Sequence, residues 1–128
     1  MKIGELAKSA ECKVETIRYY EKIGLLPNPE RTEGGYREYI DAHLRRLVFI
    51  RRSRELGFTI EEIRALLELV DGGSYTCGDI QALTMEHLEN IRQKIADLKK
   101  LEKSLAKIAS QCSGEKVPEC PVIDALFE

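Results

Sequence analysis

From Asp79 to Gln111 the chain runs without a single proline or glycine. Along that stretch Leu98, Leu101, Leu105 and Ile108 advance by three and four, Ile91 stands seven before Leu98, and Cys112 stands seven after Leu105. The spacing predicts one long helix with a coiled-coil seam, backed by a face rich in Lys and Asp. Most helical stability comes from burying an apolar face, so this stripe needs a partner, and a second copy of the chain is the simplest one. A homodimer is expected. With 128 residues, a third of them charged and 43% apolar, the rest of the chain can bury only a modest core. No apolar run follows Met1-Lys2, and no window approaches the roughly 18 apolar residues of a membrane span, so the expected location is the cytoplasm.

Ahead of the long helix the pattern is short and punctuated. KIGELAKSA places Ile3, Leu6, Ala7 and Ala10 at helical spacing, and CKVETIRYYEKIGLLP restarts with Val14 and Ile17 before Gly24 and Pro27 end it. On this second helix Glu15, Arg18, Tyr19 and Lys22 fall opposite Val14 and Ile17, the polar face that a recognition helix presents. Adjacent Tyr19 and Tyr20 should divide between solvent and core. In PNPERTEGGYREY the prolines break helix, and Gly34-Gly35 between Arg31-Thr32 and Tyr36-Arg37-Glu38-Tyr39 signals a hairpin, read as a wing. Two further amphipathic helices follow, one with Asp41 as expected N-cap and Gly57 as stop, the other with Thr59 as cap, Glu62 completing a capping box and Gly72-Gly73 as stop. PVIDALFE at the end reads as a short amphipathic helix. The boundaries expected are residues 1–71 for a winged helix-turn-helix, 72–78 for a linker, 79–111 for the dimerisation helix and 112–128 for a loop and terminal helix.

Charge and sulfur carry the chemistry. The net charge of −2 speaks against a nucleic-acid partner only on average, since Arg45, Arg46, Arg51, Arg52 and Arg54 crowd one helix. They read either as a basic patch or as a solvated helix face. The four cysteines, Cys12, Cys77, Cys112 and Cys120, are widely and irregularly spaced, which in a reducing compartment favours metal ligands or reactive thiols over disulfides. At about 1.5 Å per residue, Cys77 and Cys112 stand on the order of 50 Å apart within one chain and cannot share an ion. In an antiparallel pair of helices, however, the partner's Cys77 would arrive beside Cys112 and Cys120. The intervening residues, with Gly114 and Pro118, close that loop at small entropic cost. Three thiolates select a soft divalent ion such as Hg(II), Cd(II), Pb(II) or Zn(II), whereas two suit Cu(I). Cys12 reads as a small buried side chain, His43 as solvent-facing, and His87 as too far along the helix to meet Cys77. No Ser/His/Asp or paired-carboxylate constellation points to an enzyme.

MKIGELAK, VETIRYYEKIGLLP, GGYREY, LGFTIEEI and CPVIDAL together resemble the MerR family of bacterial transcription regulators over essentially the whole chain. The resemblance implies a mainly α fold: an N-terminal winged helix-turn-helix, a long antiparallel dimerisation helix and a C-terminal effector loop. It also implies a homodimer that binds an over-long promoter spacer and, on taking up effector, bends and untwists it so that RNA polymerase can start. Carried over to matching positions, Thr16, Arg18, Tyr19 and Tyr20 would face DNA from the second helix, while Arg31, Tyr36 and Arg37 would grip phosphates from the wing. Cys77, Cys112 and Cys120 match the divalent-ion branch, whose copper(I) relatives typically have serine at the first position; the loop spacing is similar to the copper branch. Ranked by likeness, the effector is Cd or Pb, then Hg, then Zn. The rival readings are a Cu(I) sensor using Cys112 and Cys120 alone, a redox switch in which those two form a disulfide, and a zinc-stabilised dimeric adaptor without a DNA role.

Overall fold

The structure, a computed structural model, describes residues 1–111, 114 and 120–128. Among the described residues six helices and one small hairpin follow in order: α1 (Ile3–Ser9), α2 (Val14–Lys22), β1 (Glu30–Arg31), β2 (Arg37–Glu38), α3 (Asp41–Glu55), α4 (Ile60–Gly72), α5 (Cys77–Ser110) and α6 (Pro121–Phe127). They form two compact units, Met1–Leu83 and Thr84–Glu128. Among the described residues no helix is long and apolar enough to cross a membrane.

The first unit packs around two apolar clusters. One gathers Leu6, Ala7, Ala10, Ile17, Leu26, Tyr39 and Leu47; the other gathers Leu25, Ile50, Phe58, Ile63, Leu66 and Leu67. Neighbouring Leu25 and Leu26 therefore enter different clusters, and α3 sends Leu47 to one and Ile50 to the other. That makes α3 the spine of the unit. At its start, α2 buries Ile17, and it ends where Gly24, at a φ of +80°, takes the left-handed turn that lets the Leu25 and Leu26 amides donate back to the Tyr20 carbonyl. The second cluster also receives Ile80 and Leu83 from the first turns of α5.

Helix starts explain most departures from the sequence reading. Helix α5 begins at Cys77 rather than Asp79 because Thr76 and Asp79 form a reciprocal cap: the Asp79 amide donates to Thr76 Oγ1 at 3.1 Å and the Thr76 amide donates to Asp79 Oδ2 at 2.8 Å. Its 34 residues rise about 50 Å. The Thr59–Glu62 box forms as expected, at 2.9 and 3.1 Å. At α3, Ile40 rather than Asp41 occupies the N-cap, and isoleucine has no side-chain acceptor. His43 supplies the missing half of the cap, its Nδ1 accepting the Ile40 N–H at 3.0 Å while its ring stands edge-on to Tyr39. The expectation of a solvent-facing His43 is thus overturned: it is buried, because a cap without its own acceptor recruits the third helical residue inward.

In the second unit the α5 stripe is open. Ile95, Leu98, Leu101 and Leu105 are 47%, 62%, 59% and 62% exposed. Helix α6 carries proline at its first position, where the missing N–H is harmless.

Candidate nucleic-acid interface

On α2 the side chains divide as helical geometry requires. Glu15, Arg18, Tyr19 and Lys22 are exposed, Thr16 is half-buried and Ile17 is sealed in the core. Tyr19 lies outward, its ring 5.8 Å from that of Tyr20. Tyr20 packs against both apolar clusters, so only one of the two rings stands free of the core. Burial pushes the Tyr20 phenol up from its ordinary pKa against a smaller opposing effect of Arg54, which keeps it neutral.

The wing pairs Glu30 with Glu38 and Arg31 with Arg37 in antiparallel register. Directly opposite side chains share a face, so both arginines lie on one face of the ribbon and both glutamates on the other. Like charges placed opposite one another destabilise a hairpin, and such a local violation is what a binding surface tolerates. Two contacts relieve it: Arg31 donates to the Gly35 carbonyl at 3.0 Å, and Arg37 meets Glu21 at 3.3 Å. Gly35, at a φ of +82°, closes the turn by donating to the Thr32 carbonyl, which leaves Tyr36 70% exposed at the tip. Between α2 and the wing, Arg18, Glu21, Lys22, Asn28 and Arg37 line an open recess of about 360 Å³, room enough for a phosphate group. Of the predicted contacts it brings Arg18 and Arg37 together.

Glu21 and Asn28 were absent from the sequence-derived set. A signal for Glu21 did exist. Val14, Ile17 and Glu21 occupy the i, i+3, i+7 positions of the buried stripe, and a carboxylate on such a stripe demands a partner. The partner is Tyr39, whose hydroxyl donates to Glu21 Oε1 at 2.6 Å. Burial, and then this bond to the carboxylate, raise the Tyr39 pKa and hold the phenol as a donor.

The α3 arginines resolve into fold and surface. Arg46 donates from Nε to the Leu25 carbonyl at 2.6 Å and grips Asp71 with both terminal nitrogens at 2.7 and 3.1 Å, which lowers the Asp71 pKa. Arg54 donates to the Phe58 carbonyl, and Arg51 pairs with Glu55 at 2.7 Å and with Glu11 at 3.8 Å. Arg45, Arg52 and Arg54 stay exposed while Arg46 and Arg51 are drawn partly inward, so the basic patch shrinks to three residues on this helix, one of them tied to the Phe58 carbonyl.

Among the thiols, Cys77 is exposed at the first position of α5 and Cys120 is partly exposed at the N-cap of α6. Cys112 lies outside the described residues. Cys12 packs against the first core cluster; burial raises its pKa more than nearby Arg51 lowers it, so it stays a protonated, weakly nucleophilic thiol. His87 is buried within α5. Among the described residues of one chain, no three His, Cys, Asp or Glu side chains gather closely enough to hold a metal ion.

A recognition helix, a wing with paired arginines and a long helix with an open apolar stripe define a winged helix-turn-helix DNA-binding regulator. The chain belongs to the MerR family: the model of the MerR HTH family regulatory protein matches residues 1–70, and that of the MerR DNA-binding region matches residues 44–108. It is 46% identical to the mercuric resistance operon regulatory protein of Bacillus cereus, covering 99% of this chain and 97% of that one. The crystal structure of the regulator PbrR691 from Ralstonia metallidurans CH34 in complex with lead(II) matches with a TM-score of 0.88 at 44% identity, over 98% of both chains. That of MerR from Bacillus megaterium MB1 in complex with mercury(II) matches with a TM-score of 0.78 at 42% identity, over the full length of both. The chain is a transcription regulator, not an enzyme.

Proposed function

We propose that this regulator responds to a soft divalent ion, in the order Cd or Pb, Hg, Zn, held by Cys112, Cys120 and the partner's Cys77 in an antiparallel homodimer. Ion capture then changes how the two reading heads hold promoter DNA, bending and untwisting it so that RNA polymerase can start. The observation that carries the proposal is the exposed thiol of Cys77 at the head of a helix whose apolar stripe is open to a second copy. The donor set fits: Cys77 and Cys120 are accessible sulfur ligands, and thiolate sulfur prefers soft ions to Mg(II) or Ca(II). Likeness over the whole chain to lead(II)-bound and mercury(II)-bound regulators supports the same ion class.

On the DNA side, Arg18, Tyr19 and Thr16 from α2, with Arg31, Tyr36 and Arg37 from the wing, take phosphates and base edges, and DNA deformability supplies further sequence choice. Tyr20 contributes by seating α2 on the core. The deciding experiment is Cys77→Ser. Divalent-metal induction should vanish while promoter binding persists; undiminished induction would leave the two-thiol copper and redox readings standing in its place. Competition of Cd, Pb, Hg, Zn and Cu(I) on the reduced dimer, followed by thiolate absorption and transcription together, orders the ions. Arg18→Ala and Arg37→Ala should each weaken DNA binding and flatten its salt slope by about one unit per lost phosphate contact, where the adaptor reading expects no change.

A further inference from the structure

Glu21 is the one carboxylate among the five residues that line the recess between α2 and the wing. Its side chain is only 5% exposed, and both of its oxygens are engaged, one by the Tyr39 hydroxyl and the other by the Arg37 guanidinium. Tyr39 is itself 1% exposed, and its backbone N–H donates to the Met1 carbonyl at 2.8 Å. One buried group on the recognition helix therefore holds the wing strand at two points, a fixed phenol and a half-exposed arginine. For raw affinity this is a poor arrangement, because each carboxylate on a phosphate-facing surface subtracts attraction for DNA. On charge alone, a neutral side chain of the same size would raise the sequence-independent part of the affinity for DNA.

We infer that Glu21 is a positioning residue for sequence discrimination: it sets the Arg37 guanidinium and the wing at a fixed offset from α2, sharpening the choice between sequences while lowering sequence-independent affinity. Fixing Arg37 matters because a phosphate contact sets the register in which α2 meets the base edges. An arginine free to swivel satisfies phosphates in several registers, and the match between helix and bases loosens. The inference rests on the DNA-binding reading of this surface.

The test uses the full chain and the substitution Glu21→Gln. Glutamine keeps the volume and an oxygen that accepts from Tyr39, and it removes the charge that holds Arg37. Two duplexes serve as probes, one selected from a randomised library on the wild-type chain and one scrambled at equal length and composition, with affinities measured across a salt range. Binding to the scrambled duplex should tighten about threefold, the effect of removing one unit charge about 6 Å from a phosphate in a water-like medium. Binding to the selected duplex should weaken, and the ratio of the two affinities should fall about tenfold. In an Arg37→Gln background the ratio is already reduced, and Glu21→Gln should lower it no further.

Equal tightening on both duplexes would make Glu21 a local charge and nothing more. Equal weakening with a lowered thermal midpoint would make it a fold residue only. A further fall in the ratio without Arg37 would route its action elsewhere. Each of these overturns the inference while wild-type discrimination, and with it the DNA-binding reading, survives. A wild-type chain that binds every duplex alike overturns both.

Discussion

Leu101 stands in the middle of the open α5 stripe, flanked by Leu98 and Leu105, and is 59% exposed in the single chain. Fully burying a leucine side chain stabilises by about 2.5 kcal/mol, so covering the exposed three-fifths in a dimer contributes about 1.5 kcal/mol per chain. A symmetric pair loses that contribution twice in Leu101→Ala, about 3 kcal/mol in all, which is on the order of a 150-fold rise in the dimer dissociation constant. The helix itself should not suffer, because alanine is at least as good a helix former as leucine. Sedimentation equilibrium across a wide concentration range measures the shift, with helicity followed by circular dichroism as a control on folding. Lys99→Ala, two positions away on the same helix and also exposed, should leave association unchanged. An unaltered dissociation constant for Leu101→Ala would refute the assignment of this stripe to a subunit interface. Equal weakening by both substitutions would point to a diffuse, charge-driven contact instead.

Leu47, fully buried on the α3 spine, should cost about 2–5 kcal/mol when cut back to alanine, measured as a drop in the urea midpoint at constant slope. Arg46→Ala removes the donor to the Leu25 carbonyl and should lower stability by about 1–3 kcal/mol in the same assay, more than the exposed Arg52→Ala, which should change it by less than about 0.5 kcal/mol. The Asp71 pKa is lowered by Arg46, so the stabilising contribution of the pair is fully present above the ordinary carboxylate pKa and is lost as pH falls through the depressed one. Because Asp71 is half-exposed, the effect is at most a few tenths of a kcal/mol, and Asp71→Asn should flatten the acid limb of the stability curve by about that much. Iodoacetamide near pH 8 should label exposed Cys77 well before Cys12, whose thiol is raised by burial; mass spectrometry showing Cys12 modified first would contradict its place in the core.

Where the local pattern alone decides structure, the sequence was easily read. The Pro- and Gly-free run with leucines three and four apart becomes α5, Gly34-Gly35 becomes the wing turn, and Thr59 with Glu62 becomes a helix cap, because each depends only on residues within a turn or two. Long-range partners were harder to see. The guanidinium of Arg46 reaches a carbonyl 21 positions earlier in the chain, and that of Arg64 reaches the Ile23 carbonyl 41 positions away, so neither could be told from a solvated charge by spacing. His43 turned inward for the same kind of reason, since both its tasks depend on where β2 delivers Tyr39 and Ile40. The exposed cations of the candidate surface could be read from the sequence, and the carboxylate bonded to one of them could not. Glu21 sits at a core position of α2, and its meaning appears only once Tyr39 is folded against it.

The first turns of α5 tie the thiol at its head to the core of the first unit. Ile80 and Leu83, one and two turns beyond Cys77, are seated among Leu25, Ile50 and Leu66, so no slack chain separates that sulfur from the residues that seat the recognition helix. Under the proposed ion site, a pull on Cys77 would act directly on this packed cluster and not on a slack tether.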